Sequence, residues 1–313
     1  MSGHILALSG GVGGAKLAAG LADVLPPERL SLVVNTGDDF EHLGLTICPD
    51  LDSVTYALSG LNDTERGWGV KDETWQAMAM LGQLGGPDWF NLGDRDLGLH
   101  LTRAWRLREG ESLSQATAFL TGNLGIAHAV IPMSDDPVPT RIETEAGSLD
   151  FQHYFVKEQC RPVATGVSFA GSGDARLSAG FAEGLDREDL AAVVICPSNP
   201  YLSVDPILSL HGVRERVLAR KVPVIAVSPL VGGTALKGPL AKLMAELGKP
   251  VSNKAIADHY AGLLDHLVID ASDAADAQDL RGTGLCVTVT QTIMRNGADR
   301  KQLAREVLAL VGE

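Results

Sequence analysis

The chain has 313 residues, enough for two average domains or one large α/β domain, and its 45% hydrophobic and 21% charged residues make an ordinary globular balance. Its 39 acidic and 26 basic residues leave a formal net charge of −13. Such a surface repels phosphate backbones and anionic lipid, so no nucleic-acid or membrane partner is expected, and an anionic small molecule would need local donors or a divalent metal.

The opening MSGHILALSGG has no basic n-region, and its apolar run is too short for a signal peptide. No apolar stretch approaches the ~20 residues of a membrane-spanning helix. Cys48, Cys160, Cys196 and Cys286 form no Cys-x-x-Cys pair, which argues against a zinc site or disulfide framework. A reducing cytoplasm is the expected location. HILALS reads as a buried strand, AKLAAGLADVL as a helix closing at Pro26-Pro27, and LSLVVN as a second strand, together a βαβ unit. Further strands are expected at AHAVIPM, AAVVIC, VPVIAVS, HLVID and LCVTVT. Helical patterns lie between most of them: SVTYALSG, ETWQAMAMLGQL, LHLTRAWRLRE, LSQATAFLTGNLG, LSLHGVRERVLA, PLAKLMAELG and DRKQLAREVLALV.

This alternation predicts an α/β fold with a doubly wound, mainly parallel, Rossmann-like sheet. From about Val138 to Phe169 polar and apolar residues alternate around turn signals, the pattern of a small antiparallel β excursion. The expected division is a Rossmann-like core of residues 1–137 and 187–313, with a β-rich excursion of residues 138–186 packed on it.

The first βα turn reads SGGVGGAK, Ser9 to Lys16. Glycines let a backbone approach an anion, and a helix start points N–H groups at it, so the turn is a candidate phosphate loop. It fits neither standard fingerprint: the dinucleotide pattern requires glycine where Lys16 stands, and the phosphate-loop pattern requires Gly-Lys-Ser/Thr where the chain has Ala15-Lys16-Leu17. A purely structural tight turn is the competing reading.

After the second strand comes NTGDDFEHLGLTICPDLD, with Asp38, Asp39, Asp50 and Asp52 in eighteen residues. The carboxyl edge of an open α/β sheet is where ligands bind. Several carboxylates converging there repel one another unless a cation joins them, and magnesium, hard and oxygen-seeking, fits best. Asp52 also suits the N-cap of the next helix. His42 reads as a surface or core group rather than a ligand. Asp94, Arg95 and Asp96 fall in a Gly-flanked turn before a helix, where Arg95 would clamp an anionic group or pair with its acidic neighbours. Ser134-Asp135-Asp136-Pro137, Pro197-Ser198-Asn199-Pro200 and Ser228-Pro229, the last leading into VGGTALKG, follow three further strands. Their small polar groups suit a nucleotide cleft. No nucleophile elbow is present and no cysteine lies near a base, so metal-assisted displacement at phosphorus is favoured over covalent catalysis.

The segments SGGVGGAKL, NTGDDFEHLGLTICPDLDSVTYALSG, RGWGVKDETW, DWFNLGDRDLGLHL, MSDDPVPT, FQHYFV, PSNPYLSVDPIL and SPLVGGTALKGP, in this order, resemble the 2-phospho-L-lactate transferase family of coenzyme F-420 biosynthesis. The likeness runs from Ser9 to about Pro239. It implies a magnesium-dependent transferase that moves a phosphorylated three-carbon acid from a GDP-linked donor to the terminal ribityl hydroxyl of the deazaflavin Fo, releasing GMP. The donor acid, phospholactate or phosphoenolpyruvate in type, is left open, as is any general base.

By motif match, Asp38 and one aspartate of PDLD, assigned as Asp52, are the expected metal ligands. Asp50 or Asp52, with Arg95, is expected to face Fo, and Asp38, Asp52 and Arg95 form the expected catalytic set. Gly10, Gly11, Gly13, Gly14, Lys16, Asn35, Ser198, Asn199, Pro200 and Ser228 are expected to line the guanine nucleotide. A homodimer is the expected assembly. The competing reading is a non-catalytic, nucleotide-sugar-binding regulator of the gluconeogenesis-factor type, which shares a similar glycine loop and fold; the GDRD, RGWG and MSDDP motifs favour the transferase.

Overall fold

Seven apolar runs become the strands of one sheet. The computed structural model describes residues 3–235 and 238–311. In chain order, β1 (His4–Ser9), α1 (Gly11–Val24) and β2 (Leu30–Val34) form the expected βαβ unit. A short hairpin, β3 (Phe40–His42) and β4 (Leu45–Ile47), leads into α2 (Pro49–Ser59), α3 (Gln76–Gln83), α4 (Asp94–Arg108), α5 (Leu113–Asn123) and β5 (Ala129–Pro132). Next come β6 (Thr140–Thr144), β7 (Gly147–Asp150), β8 (Ala164–Phe169), α6 (Ala179–Asp186) and β9 (Leu190–Ile195). The remainder is α7 (Asp205–Ser209), α8 (Val213–Ala219), β10 (Val224–Val227), the pair β11 (Leu230–Val231) and β12 (Thr234–Ala235), α9 (Leu240–Glu246), α10 (Asn253–His259), β13 (His266–Asp270), α11 (Ala277–Arg281), β14 (Cys286–Thr290) and α12 (Gly297–Ala309).

The main sheet has the order β14-β13-β10-β9-β1-β2-β5, every pair parallel. Its strands are unbroken apolar runs because both faces are covered. Every residue of β1, β2 and β10 is buried. Alternate residues serve opposite faces: Leu6, Leu8 and Val33 join the core under α6 to α11, and Ile5, Ala7 and Leu32 join the core under α1, α2 and α12.

From β1 the chain winds outward through β2 to β5, then returns to β9 on the other side of β1 and winds away through β10. The turns leaving β1 and β9 therefore diverge to opposite faces, and a crevice opens between them at the carboxyl edge. That topological switch point places the site.

The antiparallel excursion is a three-stranded sheet of order β7-β6-β8. The stretch expected to belong to it, residues 138–186, ends in α6, which packs on β5 and β9 of the main sheet.

Three local expectations change. α4 begins at Asp94, so the Asp94–Asp96 segment is the first turn of the helix rather than a turn before it; acidic residues suit that end. α2 begins at Pro49 with Cys48 at its cap, so Asp52 lies inside the first turn and is not the N-cap; proline is pre-shaped for a first helical position. LSLHGVRERVLA splits into α7 and α8 at Gly212, whose φ of +76° a helix interior does not accept. In VGGTALKG, Gly232 and Gly233 turn the β11–β12 pair, while Leu236 and Lys237 lie outside the described residues.

Candidate active site

The glycine turn is built against its own chain. A Cβ added to Gly10 would stand 2.5 Å from an Asp50 carboxylate oxygen, one on Gly13 2.3 Å from the Pro197 carbonyl oxygen, and one on Gly14 2.5 Å from Ser198 Oγ. These glycines let α1 seat against Asp50 and the PSNP turn across the switch point. The Gly10 N–H donates to Ser198 Oγ at 3.3 Å, and Ser198 Oγ donates to the Gly10 carbonyl at 2.8 Å. Gly11, at φ +64°, donates its N–H to Asp50 Oδ1 at 2.5 Å. The helix start that the sequence reserves for a phosphate thus holds an internal carboxylate, which the positive end of α1 favours in the same way. In this conformation the amides of Gly10 and Gly11 serve Ser198 and Asp50.

Asn35, fully buried at the end of β2, links two of the four aspartates. Its Nδ2 donates to Asp50 Oδ2 at 3.0 Å and the Leu202 carbonyl at 3.2 Å, and reaches Asp38 Oδ1 at 3.5 Å. Its Oδ1 accepts from the Gly37 N–H at 2.8 Å, which fixes the amide orientation. Asp38 also meets Gln152 Nε2 at 3.5 Å. Burial, then the charges of Asp50 and Asp39, pushes the Asp38 carboxyl well above its ordinary range. Burial likewise raises Asp50 to about 6, against the bonds from Asn35 and Gly11. Asp39, at the rim, is raised by burial and leaves a buried Oδ1 without a partner.

Asp52 has a different neighbourhood. Both its oxygens meet the Arg103 guanidinium, Oδ1 at NH2 and Oδ2 at NH1, the latter at 3.2 Å. Arg103 is 2% exposed. Burial opposes its charge, but Asp52 chiefly outweighs that and holds it above the ordinary arginine value. His100 Nδ1 lies 3.6 Å from Asp52, its Nε2 lies 3.2 Å from Asp96, and Asp96 accepts from the Tyr56 hydroxyl. This network joins α2 to α4. Arg103 is absent from the residues expected from sequence, although Asp96, His100 and Arg103 recur at i, i+4 and i+7, one face of a helix.

Arg95 does not join the aspartates. It is exposed, and its NH1 donates to the Lys71 carbonyl at 2.7 Å. The N–H groups of Arg95 and Asp96 are capped by Glu73, and Asp94 caps the start of α3 through Gln76 and Ala77. Asn199 accepts from the N–H groups of Tyr201 and Leu202, opening a π-turn that begins at buried Pro200. Ser228 donates to Asn253 at 2.6 Å and so belongs to a separate network under β10. Lys16 Nζ donates to the Met294 carbonyl at 3.0 Å, on the outer side of α1. His42 is buried and packs among Phe40, Trp89 and Phe90, so of the surface and core positions open to it from sequence it takes the core one.

A cleft of about 570 Å³ opens beside this cluster, with Thr36, Asp39, Asp135, Asp136 and Gln152 in its walls. Gln152 connects it to Asp38. Among the described residues no three His, Cys, Asp or Glu side chains converge to hold a metal ion. The two-carboxylate arrangement suits magnesium, which takes one or two carboxylates and completes its shell with water and substrate phosphates.

Residues 5–293 match the family described as 2-phospho-L-lactate transferase CofD. A 2-phospho-L-lactate transferase from Methanosarcina mazei is 38% identical over 304 residues, covering 97% of this chain and 99% of its own. A phosphoenolpyruvate transferase from Kitasatospora aureofaciens is 37% identical over 314 residues, covering 98% of this chain and 97% of its own. Among solved structures, a UPF0052 family protein from Bacillus halodurans shares the fold, with a TM-score of 0.63 at 16% identity over 98% of this chain and 99% of that one. The parallel sheet, the aspartates at its switch point and these full-length matches agree: the chain belongs to the 2-phospho-L-lactate transferase family and is a transferase.

Proposed function

We propose that this enzyme moves a phosphorylated three-carbon acid from a GDP-linked donor to the terminal ribityl hydroxyl of Fo, with GMP leaving and magnesium required. The observation that carries this reading is the Asp38–Asp50 pair. The two buried carboxylates share one amide donor, with no cation bonded to either among the described residues. Like charges so placed favour a bound cation, and a magnesium ion there would supply positive charge to a diphosphate. We assign Asp38 and Asp50 as the ligands rather than Asp38 and Asp52, because Arg103 already occupies both oxygens of Asp52.

The chain's own groups do the positioning. Asn35 orients both carboxylates, the Gly11 N–H fixes Asp50, and Gln152 reaches Asp38 from the cleft. The cleft has the volume of a small-molecule site. Arg95, exposed at the start of α4, is available to the acceptor. The Ser9–Lys16 segment, Asn35, the PSNP turn and the Ser228 turn are the proposed guanine-nucleotide side. We place the reaction in the cytoplasm; among the described residues no helix is long and apolar enough to cross a membrane. We also propose a homodimer, supported by the exposed apolar side chains of Met80 on α3, Leu84 at its C-terminal cap, and Leu101 and Trp105 on α4.

The test is turnover with Fo, magnesium and equal amounts of the GDP-linked phospholactate, phosphoenolpyruvate and phosphoglycerate derivatives, with products identified by mass. One phosphodiester product, lost with EDTA, is expected, and its mass names the donor acid. Relatives of nearly equal identity carry the phospholactate and phosphoenolpyruvate names. No product from any donor, with guanine nucleotide still bound, would move the assignment to a non-catalytic nucleotide-binding protein.

A further inference from the structure

At the start of α1 an approaching anion meets the Asp50 carboxylate. About a turn and a half further along the helix the chemistry reverses. A cavity of about 90 Å³ lies between α1, α2, the 62–69 loop and the segment entering α12, and its walls carry Lys16, Arg295 and Arg300. The bond from Lys16 Nζ to the Met294 carbonyl holds that ammonium beside Arg295. Asp63 is the acid in the lining, and it is engaged by Arg66 at 3.3 Å and by the N–H groups of Glu65 and Arg66.

Among the described residues neither Arg295 nor Arg300 has a carboxylate within ion-pair distance, and the buried Arg300 Nε has no acceptor. In a chain with 39 acidic against 26 basic residues, chance does not favour two arginines without a carboxylate partner at one small cavity. The two guanidinium charges repel each other, and a buried N–H without a partner is destabilising. An anionic ligand would relieve both.

We propose that this cavity is an oxyanion site in which Lys16, Arg295 and Arg300 hold a phosphate or carboxylate group, apart from the Asp38–Asp50 pair. Its volume is well below the roughly 300–1,000 Å³ of a pocket for a whole ligand, and suits one such group. Arginine forks match both anions. Val12 and Ser53 also line it, neighbours in sequence of Gly11 and Asp52, so it adjoins the aspartate cluster. On the transferase reading above, the source of the anion is the donor. A free phosphate ion would use the same contacts.

The test is calorimetric titration of the full-length protein with inorganic phosphate in EDTA, in the absence of donor and acceptor, for the wild type, Arg300→Gln and Arg295→Gln. The wild type should bind one phosphate per chain, more weakly as salt rises. Each substitution should weaken binding roughly tenfold or more, the loss of one charge-assisted contact, with the melting temperature unchanged. Absence of saturable binding to the wild type, or equal binding by both variants, would overturn the proposal. In turnover assays, inhibition by phosphate that is competitive with the donor would assign the site to the donor. Saturable binding with non-competitive inhibition would support an oxyanion site used by the free ion. Because the titration needs no turnover, the site can stand if the transferase reading fails, and the reverse.

Discussion

Asp50 and Asp52 are two residues apart in the first turn of α2, yet they face opposite electrostatic worlds. Asp52 is closed into an internal ion pair with Arg103, backed by His100, Asp96 and Tyr56. Asp50, with Asp38, is held by an amide side chain and a backbone N–H. Four carboxylates packed in one place would not fold without compensation. The chain supplies a cation for one side of the cluster and leaves the other side charged or protonated. Neutralisation from within makes a scaffold, and its absence next door makes a place for a cation from outside. The first side should show itself in stability and the second in activity.

The largest effect is expected at Asp38. Asp38→Asn keeps the shape and removes the charge, so turnover should fall by roughly 10³-fold or more, about 4 kcal/mol in barrier. The folded state should be retained or strengthened, because an uncompensated buried carboxylate has gone. Circular dichroism and a single-turnover assay on the same preparation separate the two readouts. Normal turnover by this variant would remove Asp38 from the metal site.

Arg103→Met should do the reverse. It strands Asp52 as a buried unpaired charge, at a cost of about 3–5 kcal/mol measured by urea unfolding. The double variant with Asp52→Asn should recover much of that loss, which a double-mutant cycle would read as coupling between the two. If the losses simply add, the guanidinium acts through packing alone and the proposed division of the cluster fails.

A smaller effect follows from Asp50. Its carboxyl is raised from 3.8 to about 6, so between these values the folded chain keeps a proton that the unfolded chain has released. Stability from this group is therefore greatest below about pH 4 and falls as pH rises through 6, by on the order of 3 kcal/mol. Burial of Asp38 and Asp39 acts in the same direction. In EDTA, Asp50→Asn should flatten this slope and exceed the wild type in stability near pH 7.5. Magnesium should raise the wild-type melting temperature there and leave Asp38→Asn unchanged. A metal-free protein whose stability rises with pH across this window would mean that the pair is compensated by another group.

How much of this could be read beforehand depends on the range of the interaction. The seven strands were legible because strands buried on both faces are unbroken apolar runs, and the excursion because alternation marks a one-sided sheet. The aspartates at a strand end were legible as a site for a cation. What sequence withheld were the partners. Gly10 meets Ser198 across 188 residues of chain, and nothing local in SGGVGG says that Asp50 will cap the helix that follows. Arg103 was hidden by a boundary: with α4 starting after the GDRD turn, Asp96 falls outside the helix and the Asp96–His100–Arg103 stripe goes unseen. Starting the helix at Asp94 aligns the three. The hairpin β3–β4 was missed because three-residue strands carry too little pattern.

The smallest effect, and the sharpest test of the division between scaffold and site, is at the other arginine of α4. Arg95 is exposed and its side chain bonds to the Lys71 carbonyl, so Arg95→Gln should change stability by no more than about 0.5–1 kcal/mol. Eight residues separate it from Arg103, yet the two should respond differently: one to denaturant, the other to substrate. If Arg95 meets the acceptor, its loss should raise the KM for Fo by several-fold, with the magnesium dependence and the donor KM unchanged. If instead all three parameters stay at wild-type values, Arg95 does no more than tie α4 to the Lys71 backbone. The acceptor must then be sought in the cleft between Asp39 and Gln152, whose walls include Leu107 of α4 but not Arg95.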